Sequence, residues 1–144
     1  MSYDTKVNSI VPTILTIFMK IGGFCMSTDQ LKQSSISLEE NLKKALTEIL
    51  ILNLLSQKDY FIGEISEVLN QKSNGVLKLV FPYSAVYRLK EDGFVSDGEK
   101  RVASDGRKRQ FYSITPLGRE HYKHLLVTYR QFITGVNMIL DEET

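Results

Sequence analysis

Apolar residues between residues 82 and 95 recur at the spacing of a short amphipathic helix. The positions that would share its inner face are three or four residues apart or adjacent, namely Pro82, Ala85, Val86 and Leu89. The opposite face would carry Tyr83, Ser84, Tyr87 and Arg88. Proline suits the first helical position, and Gly93 can adopt the left-handed conformation that ends a helix. We therefore predict a helix that begins at Pro82, ends at Gly93 and keeps one polar and aromatic face exposed.

A longer and more apolar helix is predicted upstream, from Ser37 to Leu55. Ser37 with Glu40 three residues later forms a capping box, which marks the start of a helix. One stripe of this helix carries Leu42, Leu46, Ile49 and Leu50. The other sides of its second half carry Ile51, Leu52, Leu54 and Leu55. A helix that is apolar nearly all round must be enclosed, so we expect a second chain to cover part of it.

A second helix is predicted after a turn at residues 56–59. Its apolar face carries Ile62, Ile65, Val68 and Leu69, and it ends at Ser73-Asn74-Gly75. Gly63 lowers helix stability by about 0.5–1 kcal/mol relative to alanine, which suggests close packing against a neighbouring helix. Val76 to Val80 alternate around Lys78 and predict a short extended segment. Two helices joined in this way, with a strand before the second, form a winged helix-turn-helix.

A β-hairpin is predicted after Gly93. Its strands would begin at Phe94-Val95 and run over residues 109–114, with Ser104-Asp105-Gly106 as the turn between them. The hairpin carries five cations, namely Lys100, Arg101, Arg107, Lys108 and Arg109. Asp105 is the only acid among residues 100–109. A charged hairpin is often simply solvated, but directly after an exposed helix its long cationic side chains favour contacts with DNA phosphates.

A final helix is predicted to start at Thr115-Pro116 and to continue to about Leu140. Its apolar positions alternate between four- and three-residue spacing, namely Tyr122, Leu126, Tyr129, Ile133, Val136 and Leu140. An adjacent stripe carries Leu125, Phe132 and Ile139. One small domain covers less apolar surface than this, so we predict dimerisation through the helix. The alternative is that the helix folds back only on the first helix of its own chain.

Length and composition fit one small module with an extension. The chain has 144 residues, of which 42% are hydrophobic, and a formal net charge of +1. Any binding of nucleic acid would therefore depend on where the cations lie rather than on their excess. The fold class that we predict is mainly α with a small β-hairpin (α+β). We place an N-terminal extension at 1–36, a winged helix-turn-helix at 37–115 and a dimerisation helix at 116–144.

The N-terminal residues give little sign of targeting. The apolar run from Ile10 to Phe18 is interrupted by polar residues and is shorter than the roughly 20 residues of a membrane span. It also lacks a good signal-peptide cleavage site. Met26 is an alternative start, since every clear pattern lies after it, and an accessory helix or a partly disordered tail is the equally favoured interpretation. The single cysteine, Cys25, excludes an intrachain disulfide and favours a reducing cytoplasm.

The sequence carries no recognisable catalytic set. His121 and His124 with Glu120 suggest a metal site, but the further carboxylate or cysteine that would complete such a site is missing. We favour a solvated helix face for these residues. Neither a Ser-His-Asp set nor a glycine-rich phosphate loop occurs in its motif context. We therefore expect no enzyme, no cofactor and no metal. A winged helix used purely for protein association remains the alternative to DNA binding.

Three segments of the chain match a known family pattern. Residues 82–95, Pro-Tyr-Ser-Ala-Val-Tyr-Arg-Leu-Lys-Glu-Asp-Gly-Phe-Val, fit an apolar-Tyr-x-x-apolar-x-Arg-Leu run that ends in acids, Gly and two apolar residues. Residues 109–118, Arg-Gln-Phe-Tyr-Ser-Ile-Thr-Pro-Leu-Gly, fit the strand pattern Arg-x-Tyr-Tyr-x-Leu-Thr-x-x-Gly. A weaker match is Ile62-Gly63-Glu64-Ile65. In these segments, the chain from about Leu42 to Leu140 resembles the short form of the PadR family of bacterial transcriptional regulators. The resemblance implies a homodimeric repressor that binds a two-fold symmetric operator and is released by an effector.

In such a dimer both exposed helices would enter successive major grooves, about 34 Å apart. The candidates for contacts there are Tyr83, Ser84, Tyr87 and Arg88, although Tyr83 is equally suited to packing. The five hairpin cations would bind phosphates. A space between the first and last helices of the dimer, lined by Tyr122, Tyr129, Phe132 and the apolar end of the first helix, could take a flat hydrophobic effector. The same residues suit a plain dimer core, which we favour.

Overall fold

The computed structural model describes residues 28–78 and 82–142. Within them lie four helices and one two-stranded antiparallel sheet. The elements in chain order are α1 (Thr28–Leu55), α2 (Ile62–Lys72), α3 (Tyr83–Glu91), β1 (Val95–Val102), β2 (Lys108–Ile114) and α4 (Pro116–Asp141). This order confirms the prediction of a mainly α chain with a small β-hairpin. Among the described residues, no helix combines the length and the hydropathy that a membrane span requires. The predictions for residues 1–27, Cys25 and Met26 included, lie outside the described residues.

The chain divides into two units, Met1–Leu42 and Lys43–Thr144. In the first unit, the side chains of residues 28–42 are exposed. α1 begins at Thr28 rather than at Ser37, so the predicted capping box is wrong because Ser37 lies inside the helix. Asp29 in the first turn favours the earlier start, since a carboxylate there interacts well with the helix dipole. Gln30, Leu31 and Lys32 follow, and all three are good helix formers.

The core of the second unit forms around the C-terminal end of α1. Ile51, Leu52, Leu54 and Leu55 are at most 1% exposed. They belong to one apolar cluster with Ile65 of α2 and with Val86 and Leu89 of α3. The stripe of α1 that carries Leu46, Ile49 and Leu50 is only partly buried. The residues that the sequence assigned to the other sides of α1 are therefore the ones that form the core.

α2 buries the predicted apolar face, with Ile62, Ile65 and Leu69 inside and Val68 packed against them. It ends at the predicted turn, where Asn74 and Gly75 adopt φ angles of 52° and 85°. The expectation that Gly63 permits packing between helices is wrong. A Cβ at Gly63 would lie 3.1 Å from the ring of Phe61, the residue before α2. Glycine leaves room for that ring.

The predicted extended segment before α3 is not found among the described residues, and a different segment pairs with the hairpin. Val76 and Leu77 form a turn, and residues 79–81 lie outside the described ranges. The extended segment predicted at Val76–Val80 is therefore wrong in its described part. Tyr60, between α1 and α2, instead pairs with Tyr112 of β2 through two backbone hydrogen bonds of 2.9 and 3.4 Å. This pairing joins the start of the helix-turn-helix to the hairpin.

α3 is short and sharply bounded, as its sequence predicts. Pro82 is buried and precedes the helix as N-cap instead of occupying its first position, although its φ of −76° and ψ of −8° are already helical. At the other end, the N–H groups of Gly93 and Phe94 donate to the carbonyls of Lys90 and Leu89, at 3.0 and 2.9 Å. These two bonds form a Schellman motif. The φ of 79° at Gly93 makes it possible.

The hairpin has the predicted strands and turn. Val95 lies opposite Ile114 and Val102 opposite Lys108, with one irregularity in register between Asp97 and Lys100. At the tip, the Ala103 N–H donates to the Arg107 carbonyl at 2.8 Å, and Gly106 has a φ of 78°. The turn therefore brings the two clusters of cations to the end and the sides of the hairpin.

Thr115 and Gly118 join the hairpin to α4. The Thr115 hydroxyl accepts a hydrogen bond from the Gly118 N–H at 3.0 Å and donates to the Gly93 carbonyl at 2.7 Å. This confirms Thr115-Pro116 as the start of the last helix. A Cβ on Gly118 would collide with the Phe94 carbonyl oxygen and with the side chain of Ile114. α4 thus begins in direct contact with Phe94, which lies three residues beyond the end of α3.

We expect Gly118→Ala to lower the free energy of unfolding by about 1–3 kcal/mol, because the new methyl group must displace backbone. Gly135→Ala in the same helix is the matched control, since a Cβ there meets nothing within 4 Å. That control should be neutral or stabilising by up to about 1 kcal/mol. Urea denaturation followed by circular dichroism measures both, and equal effects would contradict the close approach at Gly118.

Candidate nucleic-acid interface

The outward face of α3 is exposed, and its inward face is buried in the core. Ala85, Val86 and Leu89 are buried. The four candidate residues on the other face are all exposed, namely Tyr83, Ser84, Tyr87 and Arg88. Tyr83 and Tyr87 are 53% and 51% exposed, so the packing alternative considered for Tyr83 leaves half of its side chain in solvent. α3 therefore presents hydroxyl, aromatic and guanidinium groups on one accessible surface.

Two side-chain contacts that the sequence did not indicate fix α3 against the hairpin. The Lys90 ammonium donates to Asp97 of β1 at 2.8 Å, and this hydrogen bond raises the pKa of Lys90. Tyr87 lies beside the Tyr112 hydroxyl of β2, whose pKa is raised by burial and by the neighbouring Tyr87 and Asp97. Tyr87 is consequently shared between the exposed face of α3 and the base of the hairpin. No local spacing rule could have found these pairs, because they join different elements.

At the hairpin tip, Asp105 organises the cations around it. Its carboxylate accepts the Arg107 backbone N–H at 3.0 Å and two hydrogen bonds from the Arg109 guanidinium, at 2.8 and 3.1 Å. The Arg107 N–H, followed by Arg109, holds the pKa of Asp105 below its ordinary value. The only acid among the cations is thus part of the turn, and it orients Arg109.

Two aromatic rings, Phe111 in the middle of β2 and Phe61 just before α2, contact two of the arginines. Phe61 and Phe111 meet edge to face, with ring centroids 5.5 Å apart. The Arg101 guanidinium lies 4.0 Å from the centre of the Phe111 ring, and that of Arg109 lies 5.7 Å from the centre of the Phe61 ring. Both distances are in the range of cation–π contacts. Lys100, Arg107 and Lys108 are exposed, and within the described ranges no acidic side chain pairs with them.

The last helix divides into a packed first part and an exposed second part. The Asn53 side-chain amide of α1 donates to the Tyr122 hydroxyl at 2.6 Å, and Leu125 packs against the core cluster. Of the residues predicted for dimerisation, Tyr122, Leu126, Ile133 and Val136 are partly buried, and Tyr129 and Leu140 are exposed. Phe132 and Ile139 of the adjacent stripe are each 69% exposed. The exposure of the apolar side chains of α4 therefore increases toward its C-terminal end.

A groove of about 190 Å³ lies between α1 and α4. Its lining consists of Leu46, Ile49, Leu50, Asn53, Leu77, Tyr122, Leu126 and Tyr129. This matches the predicted space in Tyr122, Tyr129 and the apolar end of the first helix. Phe132 does not line this groove of the single chain and is largely exposed, and the predicted space between the helices of a dimer stays a prediction.

His121 is not on a solvated helix face, contrary to the expectation. Its Nε2 lies 2.8 Å from a Glu48 oxygen of α1, and its ring stacks on Phe94. His124 is exposed. In the portion of the chain that the structure describes, no group of three or more His, Cys, Asp or Glu side chains is placed to hold a metal ion.

Comparisons with known proteins agree with this geometry. Residues 51–124, just over half of the chain, match the model of the transcriptional regulator PadR-like family. A transcriptional regulator from Clostridium thermocellum is similar in structure, with 26% identity, a TM-score of 0.58, and coverage of 68% of this chain and 93% of that one. A PadR-like transcriptional regulator from Bacillus cereus has 25% identity and a TM-score of 0.60, with coverage of 69% and 96%. Among curated protein sequences, none matches this chain significantly.

The geometry of the tip predicts the titration of Asp105. Its pKa should lie below the ordinary 3.8, so its contribution to the turn is present at neutral pH and is lost as the pH falls through the lowered value. Arg109→Gln should raise this pKa, although the Arg107 N–H still holds it down. Lys108→Gln is the control with no contact to the carboxylate. A carboxyl-detected NMR titration in which Arg109→Gln changes nothing would refute the arrangement.

Proposed function

The chain belongs to the PadR-like family of transcriptional regulators, and on this premise we propose that it is a homodimeric, sequence-specific DNA-binding repressor. Members of this family are regulators of transcription rather than enzymes. The observation that carries the proposal is the outward face of α3, which is exposed and polar and is followed directly by a basic hairpin. This combination is the geometry of a recognition helix with a wing.

In the proposed complex, α3 lies in the major groove. Arg88 pairs with guanine or with a phosphate, and Ser84 bonds a base edge or a phosphate. Tyr83 and Tyr87 reach phosphates through their hydroxyls. We assign Tyr87 a contact with the DNA backbone, because its exposed phenolic hydroxyl can donate to a phosphate oxygen.

The wing contributes affinity that does not depend on sequence. Lys100, Arg107 and Lys108 are exposed and have long, flexible side chains suited to phosphates. Arg101 and Arg109 are held on the rings of Phe111 and Phe61. We propose that these two contact the backbone from fixed positions at the sides of the hairpin. Arg109 is also held by Asp105, so its contact requires that this ion pair is broken or shared.

A second copy of the chain is the proposed occupant of the exposed part of α4. Phe132, Ile139 and Leu140 are 69%, 69% and 60% exposed in the single chain. Apolar surface left in water is unfavourable by about 25 cal/mol per Å², and an isologous pairing of two α4 helices would bury it on both copies. Such a pair fixes two α3 helices about 34 Å apart and therefore requires a pseudo-palindromic operator. Residues 37–115 would then form the DNA-binding domain and residues 116–144 the dimerisation helix.

The proposal includes release of the operator by a small hydrophobic effector. The groove between α1 and α4 is the candidate site, because it combines an apolar lining with the polar Asn53–Tyr122 pair. The same lining suits a plain dimer core, and we favour that role.

Action on operator DNA would place the protein in the cytoplasm, in agreement with its single cysteine. The alternative is a winged helix that binds other proteins and no DNA.

We expect the double variant Arg107→Gln/Lys108→Gln to bind duplex DNA more weakly, and by a similar factor whatever the sequence. The plot of log affinity against log salt should become shallower by about 0.9 for each phosphate that the variant no longer neutralises. Fluorescence anisotropy with a short random-sequence duplex measures this slope.

The charge-matched control is Lys123→Gln/Arg130→Gln, which removes two exposed cations from α4. It should leave the slope close to that of the natural protein. An unchanged slope in the hairpin variant would exclude the wing from the interface. A natural protein without salt-dependent affinity for duplex DNA would favour the protein-association alternative.

We expect Ile133→Glu to convert the dimer into a monomer, because it puts a charge in the middle of the predicted seam of α4. Val127→Glu is the matched control, since Val127 is exposed and lies on the opposite side of the helix. Light scattering coupled to size-exclusion chromatography gives the mass of each. If both variants keep the mass of the natural protein, the seam does not hold the dimer.

A further inference from the structure

Phe94, three residues beyond the end of α3, is held by three parts of the structure. Its N–H donates to the Leu89 carbonyl of α3, and its carbonyl accepts the Thr115 N–H, at 2.9 and 3.0 Å. Its ring lies flat on the His121 imidazole of α4, with ring centroids 3.9 Å apart and an interplanar angle of 6°. Phe94 thus connects the end of α3 to the first turns of α4 through its backbone and through its side chain.

His121 is itself fixed by α1. Its Nε2 lies 2.8 Å from Oε1 of Glu48, and the two side chains are only 27% and 28% exposed. The hydrogen bond sets the direction of the imidazole, and the stack sets its plane. His124, three residues further along α4, is exposed. The two histidines of the chain therefore differ sharply in their surroundings, although they are on the same helix.

We propose that His121 is a positioning residue for DNA recognition, which fixes the angle between α3 and α4 by stacking on Phe94. The inference rests on the proposed function, because it requires that α4 pairs with its copy and that α3 binds DNA. In a dimer held by α4, the angle between α3 and α4 determines the separation of the two α3 helices. His121 therefore sets which half-site spacing the dimer accepts.

Other contacts also position α4 here, namely the close approach of Gly118 to the Phe94 carbonyl and the packing of Tyr122 and Leu125 against α1 and the core. The bonds from Thr115 to Gly93 and Phe94 join neighbouring stretches of backbone and fix their distance. The stack is a second point of attachment away from the backbone, and it resists rotation about the first. Among the described residues, it is the only ring contact between α4 and the segment after α3. Without it, the segment after α3 would contact α4 through backbone alone, and we expect α3 to turn somewhat more freely relative to α4 while both helices stay packed on the core.

The test compares four forms of the full chain, namely the natural protein, His121→Ala, His121→Phe and His124→Ala. The probe is the duplex that the natural protein selects from a random library, together with copies that have one base pair added or removed between the half-sites. His121→Phe keeps an aromatic ring for Phe94 and loses the Glu48 hydrogen bond. His124→Ala removes the exposed histidine and is the matched control.

We expect His121→Ala to bind the selected duplex about two- to tenfold more weakly, the size expected for loss of one stacked ring. It should also distinguish the altered spacings less well than the natural protein does. His121→Phe should restore both properties, and His124→Ala should resemble the natural protein. Affinity for random-sequence DNA and the dimer mass should be the same in all four. If His121→Ala proves unstable, His121→Gln, which lacks a ring but can still bond Glu48, takes its place.

Two results would overturn the inference. One is that His121→Ala, or His121→Gln in its place, distinguishes the altered half-site spacings as well as the natural protein does. The other is that this variant loses the same factor of affinity on every duplex. If the natural protein selects no duplex at all, the proposed function fails, and a second measurement still decides the role of the stack. Amide hydrogen exchange at Gly93 and Phe94, whose N–H groups end α3, should be about two- to tenfold faster in His121→Ala than in His124→Ala. Equal rates there would show that the stack does not hold the end of α3.

Discussion

Removal of the apolar end of α1 from water is the constraint on which the other elements depend. Ile51, Leu52, Leu54 and Leu55 are essentially inaccessible, and each apolar side chain of this size is stabilised by about 1.5–3 kcal/mol when it is buried. α2 and α3 supply the cover with Ile65, Val86 and Leu89. Because α3 uses its whole apolar face for this purpose, its polar and aromatic face must point outward. The exposure of this face of α3 is thus a consequence of how the core is closed.

The second requirement is that α3, the hairpin and α4 keep fixed relative positions. Gly93 ends α3 with a positive φ, Phe94 carries the chain into β1, and Gly118 lets α4 start against the Phe94 carbonyl. Lys90 and Asp97 tie the last turn of α3 to β1, while Tyr60 ties the start of the helix-turn-helix to β2. These contacts hold the base of the hairpin and leave its tip, with Arg107 and Lys108, exposed. A regulator that reads DNA with one helix and holds phosphates with a wing needs this division between a fixed base and an accessible tip.

The sequence predicted most of this architecture, and the reasons for its failures are physical. Periodicity is a local property, so it located α2, α3, both strands and α4, and it separated the two faces of α3. It misplaced the start of α1 because the Ser37–Glu40 pattern also fits the interior of a helix whose earlier residues favour the helical state. It could not distinguish which stripe of α1 meets the core, since both are apolar.

Contacts such as Glu48 to His121 join residues 73 positions apart, and local sequence spacing cannot predict them. The assignment of DNA contacts came from pattern and resemblance, and the structure adds the exposure that such contacts need.

The central claim is that the outward face of α3 and the tip of the hairpin bind duplex DNA together. NMR titration of the isotopically labelled protein with a short duplex at low ionic strength tests it most directly. Joint binding predicts that backbone amide shifts change at residues 83–88 of α3 and at residues 105–108 of the hairpin, with the core residues of α1 unaffected. Shift changes confined to α4, or none at any DNA concentration, would contradict it.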